Sequence, residues 1–208
     1  MKHESAGWKA TTHEWADSPD VDHLEQIRRQ PGVFAPSGLM HLVLEVLAYA
    51  ADEAVSNGFG RGVVTLHRDG SVAIADNGRG TDTRVDHRGR KVEKPVMATR
   101  DLRFFDSPNA AILADGHPRR GMSVVAALSE WLIHTNRRLN GSWTQRYEHG
   151  IPVTDLTPIP DDCTIGTVVH FLPSRALVSN SHISASKLRR LAASFRPLLP
   201  VEVYDEGD

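Results

Sequence analysis

Across residues 39–56, the apolar positions Leu42, Val43, Val46, Leu47 and Ala50 recur at three- and four-residue steps, the spacing of one helix face. Asn57-Gly58 closes this run as a helix C-terminus does. A shorter helix is predicted over residues 22–30, stopped by Pro31-Gly32. Two apolar-alternating runs, 62–67 and 71–75, flank Asp69-Gly70, and two more, 130–138 and 142–148, flank Asn140-Gly141. Both dipeptides favour tight hairpin turns, so both pairs read as antiparallel strands. Gly121 opens a short helix running to Ser129, residues 166–172 read as a strand, 184–195 as an amphipathic helix and 199–204 as a last strand. Helices interspersed with hairpins predict a two-layer α/β sandwich: a mixed, largely antiparallel sheet covered on one face by helices, the other face left to a partner or to water.

Two stretches break this rhythm. Residues 1–21 show no sustained period and read as an irregular N-terminal arm carrying Trp8 and Trp15, before a single domain over 22–208. Residues 81–115 are rich in Arg, Asp, Pro and Gly and read as a loop-rich excursion able to fold over a ligand, anchored by Phe104 and Phe105. No internal repeat is visible.

Composition narrows the function classes. With 40% hydrophobic positions in 208 residues, the chain is long enough for one well-buried core and too short for a large multidomain enzyme. A formal charge of -2 gives no overall field for nucleic acid, and the local basic groups Arg119/Arg120, Arg137/Arg138 and Lys187/Arg189/Arg190 read as solvated faces. The single Cys163 forms no internal disulfide, and no N-terminal apolar run resembles a signal peptide or reaches membrane-span length, so a cytoplasmic location is expected. The eleven histidines are scattered without metal-ligand spacing and read as surface or hydrogen-bonded groups.

The chemistry concentrates in three segments. Asp76-Asn-Gly-Arg-Gly ends the second strand: its glycines admit a close ligand, and the Asp76 carboxylate can accept a hydrogen bond from an exocyclic amine, a pairing that favours adenine. On the helix over 39–56, Glu45, Tyr49, Asp52 and Glu53 follow one another at helical steps. Glu45 is suited to orienting and deprotonating a water; a solvated acidic edge is the alternative at this point. Gly116-His-Pro-Arg-Arg-Gly121 is a glycine-bounded loop before a helix, a combination that presents backbone N–H groups and guanidinium groups to phosphate, with a basic surface turn as its alternative.

Taken in order, these segments resemble the ATPase domain of the DNA gyrase B subunit, within the GHKL superfamily of gyrase, heat-shock chaperone, histidine kinase and MutL mismatch-repair ATPases. Arg29-Gln-Pro-Gly-Val-Phe, His41-Leu-Val-Leu-Glu-Val through Asp52-Glu-Ala, and Asp76-Asn-Gly-Arg-Gly carry the likeness. Ser123-Val-Val-Ala-Ala-Leu-Ser, Tyr147-Glu-His-Gly and Gly166-Thr-Val-Val-His-Phe-Leu-Pro-Ser continue it, so it covers residues 24–204. The resemblance implies a Bergerat-type ATP site. Asp76 would receive the adenine amino group, Thr167 would support Asp76 through water, Gly78 and Gly80 would line the adenine side, and Glu45 would be the general base. Arg79 and Arg138 would stand at the mouth, where in gyrase such arginines also meet coumarin-type inhibitors. The loop from Gly116 to Gly121 would face the phosphates.

Three departures shape the functional expectation. Tyr49 stands where the family carries an asparagine that holds magnesium, and a neutral phenol is a poor ligand for Mg²⁺. The family's Gly-Leu-His-Gly-Val-Gly becomes Gly116-His-Pro-Arg-Arg-Gly121, with Arg119 replacing the middle glycine; Arg119 and Arg120 either supply charge to phosphate or block it. The likeness also stops before the transducer domain, which in gyrase supplies a lysine to the γ-phosphate and drives dimerisation, so no DNA strand passage is expected from this chain alone. The leading expectation is an ATP-binding module with slow or lost hydrolysis, acting as a nucleotide-dependent regulator or partner protein. A stand-alone Mg-dependent ATPase, in which Arg119, Arg120 and Asp52 rebuild phosphate stabilisation, and an aminocoumarin-like small-molecule binder contacting Asp76, Arg79 and Arg138, are the alternatives. The expected partners are an adenine nucleotide and an unidentified protein, with the N-terminal arm a candidate homodimer contact as it is in gyrase, and no membrane.

Overall fold

A computed structural model describes residues 19–85, 89, 91–93, 95–105, 107–138, 141–178 and 183–207, with the side chains of 84, 85, 91–93 and 178 excepted. Residues 1–18 of the arm, with Trp8 and Trp15, and Asn140 of the second predicted turn lie outside the described residues, while Val21, placed in the arm by the sequence, opens the first helix.

The chain enters through α1 (Val21–Arg29), where the Asp20 side chain accepts from the His23 N–H at 3.1 Å and basic Arg28 and Arg29 sit at the negative end of the helix. Pro31 does more than stop this helix. It occupies the first turn of a second, one-turn helix, α2 (Pro31–Phe34), where its missing N–H costs nothing. The third helix, α3 (Leu39–Asn57), ends at Gly58 in the left-handed conformation. Every residue from Leu39 to Ala48 is buried, so the single apolar stripe read from the sequence widens to the whole circumference over the first half of α3.

Strands β1 (Gly62–Leu66) and β2 (Val72–Asp76) form the first hairpin. After a small separate hairpin of β3 (Thr83–Val85) and β4 (Lys91–Glu93), helix α4 (Met122–Ala127) leads into β5 (Ser129–Arg137) and β6 (Trp143–Glu148), the second hairpin. Two short strands follow, β7 (Ile151–Pro152) and β8 (Thr157–Pro158), both pairing with β6. Then come β9 (Gly166–Pro173), α5 (Arg175–Val178), α6 (Ala185–Ala192) with a single 3₁₀ turn, and β10 (Val201–Asp205).

The main sheet has the order β10-β1-β2-β9-β5-β6-β7. All its pairings are antiparallel except β10 with β1, which run parallel. The burial of alternate residues follows the two-residue period of a strand. Val64, Leu66, Val72, Ile74, Val169, Phe171 and Leu132 point into the core shared with α1, α3, α4 and α6, whereas Val63, Ala73, Ala75, Val168, His170 and Ile133 lie half-buried on the other face. This is the expected two-layer α/β sandwich, with helices on one face of a largely antiparallel sheet. Phe105 stacks on Phe34 at 5.4 Å between ring centroids, tying the excursion after β4 to the α1–α2 corner.

Candidate functional site

Between α3 and the β2–β9 seam lies a cavity of about 240 Å³. Strand β9 can press against β2 there because Gly166, at φ 133°, carries no Cβ; a Cβ would collide with the Asp76 backbone carbonyl. That contact sets Thr167 directly opposite Asp76 in the sheet register. The Asp76 carboxylate accepts from the Gly78 N–H at 2.7 Å. Burial pushes its carboxyl up to about 6 from the ordinary range near 4, with Gly78 opposing the shift and Glu53 adding to it. Val46, Ala50, Met97 and Val169 supply apolar wall.

The cavity brings together Tyr49, Asp52, Asp76, Arg79, Gly80, Thr167 and Arg138, all expected in the site from the sequence. Arg79 lies largely exposed at one side and clamps Glu53 at 2.9 and 3.1 Å. Arg138 donates to Asp82 at 2.6 Å and to the Gly80 carbonyl at 3.2 Å. Buried Asn136 secures the segment after Gly80 by accepting from the Thr81 N–H at 2.6 Å.

Glu45, Gly78, Gly116, Arg119, Arg120 and Gly121 do not line the cavity. Glu45 is fully buried rather than on a solvated edge. One carboxylate oxygen accepts from the Arg120 N–H and the other from the Gly121 N–H at 3.3 Å, so the carboxylate occupies the backbone donors that precede α4. The sequence presents those donors as open to phosphate; here they are taken. Gly121, at φ 101°, lets Asp101 pack close, since a Cβ on it would stand 2.9 Å from the Asp101 Cβ. Gly116 sits at the far end of the loop, away from Glu45 and the cavity lining.

His41, one helical turn before Glu45, places Nε2 3.5 Å from Glu45 Oε1 and Nδ1 2.7 Å from Asp115 Oδ2. Burial works against the imidazolium, yet hydrogen bonds and charge from Asp115 and Glu45 outweigh it and raise His41 to about 9. A buried cation therefore stands beside Glu45 at neutral pH.

Tyr49 donates to Asp101, which is fully buried. Burial, then the Asp101 charge, pushes the phenol well above its ordinary value, so it stays protonated. Arg103 grips the same carboxylate at 2.7 and 3.0 Å, lies 3.5 Å from Asp52 and covers the Tyr49 ring at 5.6 Å. Arg119 is only 5% exposed, which rules out a surface basic turn for it. It donates to both Asp52 oxygens at 3.1 Å and lies between the Phe104 ring at 3.9 Å and the Tyr49 ring at 5.1 Å. Its Nε and Nη2 have no hydrogen-bond partner among the described residues.

Asp101, Arg103, Asp82, Met97 and His134 belong to this constellation and were not singled out in the sequence. All but His134 lie within the aperiodic stretch over 81–115, where no local pattern marks them. Among the described residues, no group of three or more His, Cys, Asp or Glu side chains is placed to hold a metal ion, and no helix is long and apolar enough to cross a membrane.

No protein-family model matches the chain. Individual proteins do. The chain is 35% identical over 190 residues to the B subunit of DNA gyrase from Thermotoga maritima, a match covering 88% of this chain and 30% of that protein. It is 31% identical over 195 residues to the B subunit of DNA topoisomerase 4 from Bacillus subtilis, covering 89% of this chain and 30% of that protein. It is 34% identical over 194 residues to the B subunit of DNA gyrase from a Synechocystis species, covering 88% and 18% respectively. The chain thus spans less than a third of the length of these curated relatives.

Proposed function

The chain is a divergent DNA gyrase B-like domain, and we propose that it is an ATP-binding GHKL module whose hydrolysis is slow or lost, acting as a nucleotide-dependent regulator or partner protein. Asp76 would accept the adenine amino group, with Thr167 across the strand pair and the apolar walls enclosing the base. Gly80 would line the adenine side, Arg79 and Arg138 would stand at the mouth, and Gly78 would hold the Asp76 carboxylate in place.

The observation that carries the loss of turnover is the engagement of Glu45: both its oxygens accept backbone N–H groups, and it lies outside the cavity lining. A general base must reach the proton that it removes. The residues at the inner end also do not fit a divalent cation. Tyr49, where the family carries its metal-holding asparagine, donates its proton to Asp101, and the guanidinium groups of Arg103 and Arg119 cover its ring. Each tenfold loss of rate corresponds to about 1.4 kcal/mol of barrier, so on this reading the absence of both metal ligand and free base would slow hydrolysis.

Calorimetric titration with ATP and a non-hydrolysable analogue, with and without Mg²⁺, tests this reading. It expects binding that is indifferent to Mg²⁺, lost in Asp76→Asn, and accompanied by no phosphate release. A second reading, a stand-alone ATPase, has one observation in its favour: the two unpartnered N–H groups of Arg119, 3.9 Å from Glu45 at the nearest. It requires Mg-dependent phosphate release that Glu45→Gln abolishes. The proposed role includes dimerisation through the N-terminal arm. Light scattering of the full chain and of a chain lacking residues 1–20, with and without nucleotide, tests it, and a mass that never changes removes the arm from the reading.

A further inference from the structure

Charge around the cavity bears on which adenine compound fits. The lining carries Asp52, Glu53, Asp76 and Asp82 against Arg79, Arg103 and Arg138, four acids to three bases, so it offers no net positive charge. Each of those arginines is already committed: Arg79 to Glu53, Arg138 to Asp82, and Arg103 to Asp101 and Asp52. Arg119 is held by Asp52, and the N–H groups of Arg120 and Gly121 are bonded to Glu45. Drawing any of these donors to a phosphate oxygen would take a partner from a carboxylate, and Asp101 and Glu45 are fully buried. The unpartnered Nε and Nη2 of Arg119 offer no escape, because they are buried between Phe104 and Tyr49 outside the lining.

The base-binding end is furnished differently, with an acceptor at Asp76 and apolar walls at Val46, Ala50 and Val169. We infer that this site gains nothing from the phosphates: it binds ATP through the base, and binds the uncharged nucleoside adenosine more tightly than ADP or ATP. The inference rests on the adenine reading above and sharpens it at the phosphate end, where the cations nearest Asp101, Asp52 and Glu45, namely Arg103, Arg119 and His41, are already paired with those carboxylates and leave no positive charge over for a phosphate.

The test is calorimetric titration of the full chain with adenosine, AMP, ADP and ATP, first in EDTA and then in excess Mg²⁺, with Asp76→Asn alongside. Affinity is expected to weaken with each phosphate, adenosine binding at least about tenfold more tightly than ATP, with Mg²⁺ leaving the order unchanged. Asp52→Asn, which removes one acid from the lining and weakens the hold on Arg119, is expected to narrow the gap. ATP binding as tightly as adenosine in EDTA, or a reversal of the order by Mg²⁺, overturns the selectivity; if Asp76→Asn still abolishes binding, the adenine reading survives. Binding of none of the four compounds, or binding indifferent to Asp76→Asn, removes the adenine reading and this inference with it.

Discussion

Tyr49 donates its hydroxyl proton to Asp101, a residue 52 positions further along the chain. The bond fastens the middle of α3 to the loop that follows Met97, and it satisfies part of a fully buried carboxylate. Tyr49→Phe is therefore expected to destabilise the domain by about 2 kcal/mol, the range for a hydrogen bond to a charged group. Urea unfolding at fixed pH reads this as a lower midpoint with an unchanged slope; an unchanged midpoint would show that the other partners of Asp101 satisfy it without Tyr49.

If Asp76 accepts the adenine amino group, as proposed, binding carries a pH signature. The folded Asp76 carboxyl titrates at about 6, pushed up by burial, and a donated amino hydrogen favours the ionised form. Adenosine affinity is expected to be flat above pH 7 and to fall below pH 6, approaching about tenfold per unit. In Asp76→Asn that pH dependence disappears along with most of the affinity. A profile in wild-type protein that is flat down to pH 5 would detach Asp76 from the ligand.

His41 gives folding a signature in the opposite range. Its folded value of about 9 lies above the unfolded 6.5, so the folded state holds the proton more tightly. The stabilisation is fully present below pH 6.5 and is lost as pH rises through 9, a change on the order of 3 kcal/mol. Unfolding free energies measured between pH 6 and 9.5 should decline across that window, and His41→Gln should remove the decline while leaving a less stable protein.

Gly166→Ala is expected to be among the most damaging single-methyl changes in the chain, because the added carbon would enter the Asp76 backbone carbonyl at a φ that L residues rarely adopt. Loss of soluble folded protein, or a stability lowered by well over about 2 kcal/mol together with loss of adenosine binding, is the expected outcome. Wild-type stability in this variant would mean that β2 and β9 are held apart at this point.

Much of this architecture is legible in local pattern. Asp69-Gly70 marks the β1–β2 turn, the Leu42 to Ala50 spacing marks α3, and Asp76, singled out by its motif, lines the cavity. The parallel pairing of β10 with β1 is not legible, because a strand's period names its faces and not its neighbours. The engagement of Glu45 depends on N–H groups 75 and 76 positions away, which no helical spacing contains. The burial of Arg119 likewise follows from Phe104 and Asp52 arriving on either side of it, whereas a doublet of arginines in a loop reads locally as a solvated turn.

The position of β9 sets an order of events during folding. In the sheet it lies between β2 and β5, yet along the chain it comes after both hairpins. The β1–β2 and β5–β6 hairpins can each close over a few residues, but they join only when residues 166–173 insert between them. Asp76 and Thr167 meet across that late junction. A nascent chain without it has both hairpins and no cavity between them, so on the proposed reading ligand-dependent protection from proteolysis would mark the moment at which the two halves of the sheet become one.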